Sequence, residues 1–264
     1  MGTVTYWNQL AAGFDDQVLQ ISQCDIHGVI QATARRLRGR DKLAIDFGCG
    51  PGAVTRMISP YFGDTLGVDF ATQLLTEARR LSEGLDIRYE RRDLRRPPDP
   101  AWPRADVGFC ANVLIHESDS VRRRMADHIC SSVRSGGHLV VVVPSYESAL
   151  RTYQTLSRCH QRDGRSAAQA RSTLDRQAGS EILSMTDGII NVGGTPTKHF
   201  LQDEIAQLLN DHGIEVEQIE RVEFPWAEEI DHPPSWLVSP GPWDWLVRGP
   251  VRPGRTARGA QAIE

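Results

Sequence analysis

Three acids stand at or near the ends of short apolar runs: Asp46 in "LAID", Asp69 in "LGVD" and Asp93 in "RYERRD". Behind the first come Gly48, Gly50 and Gly52 at alternate positions, then the helical pattern "AVTRM". Glycines so placed let backbone amides approach a ligand where a helix begins. With Ala53 the spacing also satisfies the G-x-G-x-x-G/A pattern of dinucleotide sites, and Asp69 lies at about the right distance to take ribose hydroxyls. Three features turn that reading elsewhere. Asp46, two residues before the first glycine, can meet a cationic amine but would be repelled by a pyrophosphate. Roughly forty residues precede the first strand, and "YWNQLAAGFDD" and "HGVIQATARRL" within them read as helices that cap a ligand. Asp93 ends the third strand, where a carboxylate can accept from an adenine amino group. The ligand so described has an amine, a ribose and an adenine.

The elements that position these residues follow from periodicity. From about Asp41, short apolar runs alternate with helical patterns, the signature of a parallel sheet covered by helices on both faces. "KLAIDFG", "TLGVDF", "DIRYERRD", "ADVGFCANVL" and "HLVVVVPS" read as five strands. Leu74, Leu75, Ala78 and Leu81 form the apolar stripe of one intervening helix, and Val121, Met125, Ile129 and Val133 that of another. From Tyr146 to about Thr195 the pattern is polar and weakly periodic, and reads as a helical insertion over the strand ends. "FLQDEIAQLLNDHG" is again a helix with Gly213 as its stop, and "IEVEQIERVEF" and "WDWLVRG" close the sheet as two more strands. The expected organisation is a helical cap over 1–40, a core over 41–145 and 196–250, a lid over 146–195 and a disordered tail over 251–264.

Composition narrows the partners. A chain of 264 residues, 40% hydrophobic and 24% charged, can bury one substantial core. Its net charge of -4 gives no reason to expect nucleic acid or an anionic membrane. Five scattered cysteines without a CxxC pair suggest neither a disulfide framework nor a zinc site, so no metal is expected and a reducing cytoplasm is. No apolar run reaches the ~18 residues of a membrane span, and "MGTVTYWNQL" lacks the regions of a signal peptide. Lys42 and Lys198 are the only lysines, an arginine bias typical of a GC-rich bacterial genome.

In this order the motifs resemble those of the class I S-adenosylmethionine-dependent methyltransferases: "IDFGCGPG" the glycine-rich motif, "GVDF" the second-strand acid, "RRDL" the adenine contact, "DVGFCANVLIHE" the fourth-strand motif and "SGGHLVVVVPS" the fifth strand and its turn. The resemblance implies an α/β, Rossmann-like seven-stranded sheet of order 3-2-1-4-5-7-6, its last strand antiparallel, with "WDWLV" as the reversed strand. It implies S-adenosylmethionine as cofactor. Asp46 and Gly48 would hold the methionine end, Gly50 and Gly52 pack against the nucleoside, and Asp69 take both ribose hydroxyls. Phe70, Asp93 and Leu94 would border the adenine, and Ala111 and Asn112 line the methionine moiety.

Methyl transfer is an in-line displacement, so the protein must mainly hold the acceptor at ~3 to 3.5 Å and exclude water. If a proton must leave the acceptor, His116 is placed to take it, with a packing role as the plain alternative. His199 and Tyr146 are further candidates, each with a capping or packing alternative. Tyr6 and Trp7, counted among the cofactor-binding residues, and Trp226 are expected to wall the acceptor pocket or to shield the sulfonium through cation–π attraction, with packing as the plain alternative. "CANV" after the fourth strand is not the "NPPY"-type tetrad of enzymes that methylate nucleic-acid bases; with no net basic surface this leaves a small-molecule acceptor, the long lid segments point to a secondary metabolite or amino-acid derivative, and a monomer or homodimer is expected. Two rivals stay open: attack on the cofactor's own aminocarboxypropyl chain with release of methylthioadenosine, and a non-catalytic cofactor-binding regulator. A nicotinamide enzyme is the third.

Overall fold

The run "HLVVVVP" is apolar without alternation because both of its faces are buried, as in a parallel strand covered on two sides. In the computed structural model, which describes residues 21–253, side chain of Ser22 excepted, this run is the end of β5 (Val133–Pro144). Leu139, Val141 and Val143 face one core cluster, Val140 and Val142 the other. The same split runs through β1 (Gly39–Phe47), where Ile45 and Phe47 oppose Ala44. The first cluster is completed by Met125 and Ile129 of α4 (Asp119–Ser131) and by Ile205, Leu208 and Leu209 of α7 (Gln202–Asp211). The second takes Ile30, Ala34 and Leu37 of α1 (Val29–Leu37) and Ile58 of α2 (Ala53–Ile58). Helices thus cover both faces of one sheet.

That sheet adds β2 (Phe62–Asp69), β3 (Arg88–Arg91), β4 (Ala105–Ala111), β9 (Gln218–Glu223) and β10 (Trp243–Pro250) in the order β3-β2-β1-β4-β5-β10-β9. Neighbours from β3 to β5 are parallel, while β10 runs antiparallel to both β5 and β9. This is the expected seven-stranded order with "WDWLV" reversed. Since β10 runs backwards, its first residues reach the edge where β1, β4 and β5 end; Asp244 pairs with Pro144 at the close of β5.

The insertion is helical only in part. Tyr146–Arg162 (α5) and Ala167–Glu181 (α6) are helices, each opened by a serine whose hydroxyl accepts a backbone amide: Ser148 N–H on Ser145 Oγ at 3.0 Å, Gln169 N–H on Ser166 Oγ at 3.2 Å. The rest forms a three-stranded antiparallel sheet of β6 (Ile182–Ser184), β7 (Ile189–Val192) and β8 (Thr195–Lys198). Gly188, Gly193 and Gly194 at its turns adopt positive φ. Both ends of the insertion meet on the main sheet: Tyr146 N–H donates to Phe200 C=O at 2.9 Å, and Phe200 N–H to Pro144 C=O at 2.8 Å.

Two smaller expectations are corrected. Leu81, counted into the apolar stripe of α3 (Thr72–Leu81), ends that helix exposed, leaving Leu74, Leu75 and Ala78 to bury its face. Val251, counted into the tail expected to be disordered, is buried, donates to Gly137 C=O at 2.8 Å and bridges to Ile214. Residues 1–20, with Tyr6 and Trp7, and residues 254–264 lie outside the described residues. No helix among the described residues is long and apolar enough to cross a membrane, and none of their His, Cys, Asp and Glu side chains form a group of three that could hold a metal.

Candidate active site

The carboxyl ends of β1, β2 and β4 and the start of β10 open on one cavity of about 1040 Å³, the place where parallel α/β sheets bind ligands. Its floor is the turn after β1. Gly48 and Cys49 donate to Val68 C=O at 2.7 and 2.9 Å, which folds the turn back on β2. Gly48 has φ 71°, and a Cβ there would lie 2.4 Å from the Val113 side chain, so only glycine fits. Gly50 lines the cavity, whereas Gly52 does not; it faces the Tyr89 hydroxyl, which a Cβ would meet at 2.5 Å. The role expected of Gly52 at the nucleoside is therefore corrected to a packing role.

The three acids converge on this cavity in different states. Asp46 is 1% exposed and accepts Thr55 Oγ1–H at 2.6 Å. Burial pushes its carboxyl up to about 7, with Asp69 adding repulsion and Thr55 opposing. It has no ion pair among the described residues, so a cationic amine would supply the missing charge. Asp69 takes Gly50 N–H on Oδ2 at 3.0 Å and Ala71 N–H on Oδ1 at 2.8 Å, which fixes the plane of its carboxylate and leaves each oxygen a further lone pair. Burial raises its pKa, and these amides hold it down in part. Asp93 lines the cavity too, yet Arg95 grips both of its oxygens, Nε and Nη2 each at 2.8 Å, and this hydrogen-bonded pairing lowers its pKa. The Arg95 guanidinium lies 5.2 Å over the Phe70 ring. Leu94, Ala111 and Asn112 complete this half of the wall. A buried unpaired carboxylate, a second one oriented by backbone amides, and an aromatic face beside a third are the groups that an amine, a ribose and an adenine require; they fit S-adenosylmethionine.

Beyond Asn112 the cavity continues under the insertion, past Ser148, Thr152, Tyr153, Glu181, Asn191 and Glu229. His116 and His199 both reach it. Ser118 N–H donates to His116 Nδ1 at 2.9 Å, so the neutral ring carries its hydrogen on Nε2 and presents a donor, not a base. Burial lowers the His116 pKa. His199 is the converse: its Nδ1 lies 3.1 Å from Thr197 C=O, which places the hydrogen there and leaves Nε2 as an acceptor, and burial keeps it neutral down to about 4. Tyr146 is not part of the cavity wall. Its hydroxyl is buried and has no partner among the described residues, which corrects the expectation that it faces the ligand. Trp226 also packs away from the cavity, beneath Arg151.

Sequence reading missed the acids of the far half. Asp244 is 4% exposed, accepts from Asn112 Nδ2 at 3.2 Å and from the Ser145 backbone amide, and is pushed up to about 7 by burial. Glu229 keeps an exposed surface, yet crowding by protein, and then the carboxyls of Asp244, Glu228 and Glu181, push it up to about 7. Glu181 accepts the Tyr153 hydroxyl at 2.6 Å. A signal for Asp244 did exist: one acid between two tryptophans in an apolar run, on a strand whose reversal sends its first residues to the site.

The family model for methyltransferase domains matches residues 44–137, from β1 to the turn within β5. No curated protein matches the chain in sequence. Among solved structures, a methyltransferase of Methanosarcina mazei is similar at TM-score 0.60 and 14% identity, over 86% of this chain and 99% of that one. The N-methyltransferase NodS of Bradyrhizobium japonicum, in complex with S-adenosylhomocysteine, is similar at TM-score 0.58 and 14% identity, over 94% and 97%. Magnesium protoporphyrin IX methyltransferase of Synechocystis, with the same ligand bound, is similar at TM-score 0.54 and 18% identity, over 94% and 97%. Such identities speak for the fold alone, and the family model for a methyltransferase domain over residues 44–137. Residues 44–137 thus carry a methyltransferase domain, and the seven-strand order is that of the class I S-adenosylmethionine-dependent methyltransferase fold.

Proposed function

We propose that this enzyme methylates a small molecule, a secondary metabolite or an amino-acid-derived compound, that enters beneath the insertion. The observation that carries this is one continuous cavity of about 1040 Å³ running from Asp46 to Glu229. Pockets for a single drug-sized ligand span ~300–1,000 Å³, so the cofactor leaves room for a second molecule. When bound, S-adenosylmethionine supplies an electrophilic methyl group on a sulfonium. Asp46 and Gly48 hold its methionine end, Asp69 its ribose, and Phe70, Asp93 and Leu94 its adenine, with Ala111 and Asn112 along the methionine moiety. His116 offers a donor and His199 an acceptor to orient the acceptor molecule, while α5 and the β6–β8 sheet keep water from the methyl group.

The test is incubation of purified protein with S-adenosylmethionine alone and with a metabolite panel, read by mass spectrometry against an enzyme-free control. Release of S-adenosylhomocysteine only with an added acceptor is the expected result. Methylthioadenosine formed without any acceptor overturns the reading and makes the cofactor itself the substrate.

A further inference from the structure

The far half of the cavity has a marked charge. Its wall includes Asp244, Glu181, Glu228 and Glu229, and no lysine or arginine; the arginines that line the cavity, Arg92 and Arg95, stand with Asp93 at the adenine end. Arg151 and Arg221 lie over the Trp243 ring, at 5.5 and 4.1 Å, but neither lines the cavity. The two histidines add no positive charge, since burial disfavours the protonated form of each. Electrostatically this half is made for a cation.

A second, independent feature marks the same wall as incomplete. Trp243 is 4% exposed and lines the cavity, yet its Nε1–H has no acceptor among the described residues. A buried donor without a partner is costly unless a ligand supplies one.

Asp244 stands where the two halves join. It lines the cavity and is held by Asn112, the residue that follows β4 beside the methionine moiety, while Glu229 lies close enough to feel its charge. Accepting from Asn112 Nδ2 and the Ser145 amide keeps its carboxylate in a fixed orientation.

Resting on the methyltransferase reading above, we infer that the acceptor is a basic amine and that Asp244, assisted by Glu229, binds its ammonium and takes its proton. The ammonium N–H passes its proton to the Asp244 carboxylate, and the freed lone pair bonds the methyl carbon. The carbon–sulfur bond breaks with its electrons on sulfur, giving the N-methylated amine and S-adenosylhomocysteine. Asp244 suits the task because its carboxyl changes state near neutrality, pushed up to about 7.

Sinefungin tests this without turnover, because it carries a primary ammonium where the cofactor carries its transferable methyl, whereas S-adenosylhomocysteine carries nothing there. At about pH 8, calorimetry on the full chain should show sinefungin binding at least ~10-fold tighter than S-adenosylhomocysteine, as a charge-assisted hydrogen bond to a carboxylate gives. Asp244→Asn should cut that preference to within about threefold and leave affinity for S-adenosylhomocysteine within about threefold of the parent. Equal binding of the two by the unaltered protein, or a preference that survives Asp244→Asn, overturns the inference while leaving the cofactor site standing. Failure to bind S-adenosylhomocysteine at all overturns the reading beneath it. An acceptor screen that yields O-methylated and no N-methylated product likewise refutes the amine.

Discussion

Asn112 Nδ2 donates to the Asp244 carboxylate across 3.2 Å, joining the residue after β4 to the second residue of the reversed strand β10. The two are 132 positions apart in sequence, and Asn112 holds a left-handed backbone, φ 55°, to make the contact. Asn112→Ala removes the donor and adds the strain of a residue less tolerant of positive φ. The expected result is a loss of turnover of roughly tenfold or more with a stability loss of about 1–3 kcal/mol, measured by steady-state kinetics and chemical denaturation; Asn112→Gly should recover the stability and not the turnover.

Cofactor affinity should depend on Asp46. In the ligand-free protein its carboxyl is raised to about 7, so below that pH the group is protonated and offers no charge to the ligand's ammonium. Binding then requires loss of a proton. Affinity for S-adenosylhomocysteine should fall about fivefold from pH 7 to pH 6 and level off above pH 8. Calorimetry in two buffers of different ionisation enthalpy should detect the released proton, and Asp46→Asn should bind weakly with the Asp46-linked fall removed.

Asp69 does two things at once. Its oxygens anchor the amides of Gly50 and Ala71, so Asp69→Ala leaves two buried donors unsatisfied, each costing about 1–3 kcal/mol. This variant should therefore lose cofactor binding and much of its stability together. Asp69→Asn keeps one acceptor oxygen and should unfold at a temperature between the two while still losing at least ~10-fold in affinity; a full-affinity Asn variant would remove the carboxylate from the ribose site.

Arg95 occupies the groups proposed to border the adenine. It holds both oxygens of Asp93 and covers Phe70. Arg95→Ala frees the carboxylate and the ring face, and S-adenosylhomocysteine should bind a few-fold tighter, an effect worth up to about 1 kcal/mol as for other partly exposed ion pairs. Weaker binding would mean that the guanidinium itself contacts the ligand.

Much of this molecule was legible in sequence because its sheet is parallel and buried on both faces, so strands stand out as apolar runs and helices as 3.6-residue stripes between them. The same physics explains what was read less well. Glycines alternate identically whether they face a ligand or a neighbour, so Gly50 and Gly52 looked alike until Tyr89 was seen against the second. Histidine chemistry is set by which ring nitrogen is occupied, and the Ser118 amide on His116 Nδ1 depends on a local turn that no periodicity records. Tyr146 is the first residue of α5 and its hydroxyl is buried, while Ser148 and Ala149, two and three positions further along the same turn, line the cavity instead, a rotation that the sequence does not mark. β6 to β8 are three or four residues each, too short for alternation to be heard above the polar background.

The pair of hydrogen bonds between Phe200 and the Pro144–Tyr146 backbone joins the two ends of the insertion at one point of the sheet. A segment whose ends are already fastened can grow, shrink or be exchanged at small entropic cost, since closure depends only weakly on length. The catalytic floor beneath it does not need to be rebuilt when that happens. The segment is thereby exchangeable: a graft between Pro144 and Phe200 should reshape the far part of the cavity while Asp244, Glu229 and the cofactor half built from β1, β2 and β4, all outside the graft, keep their places.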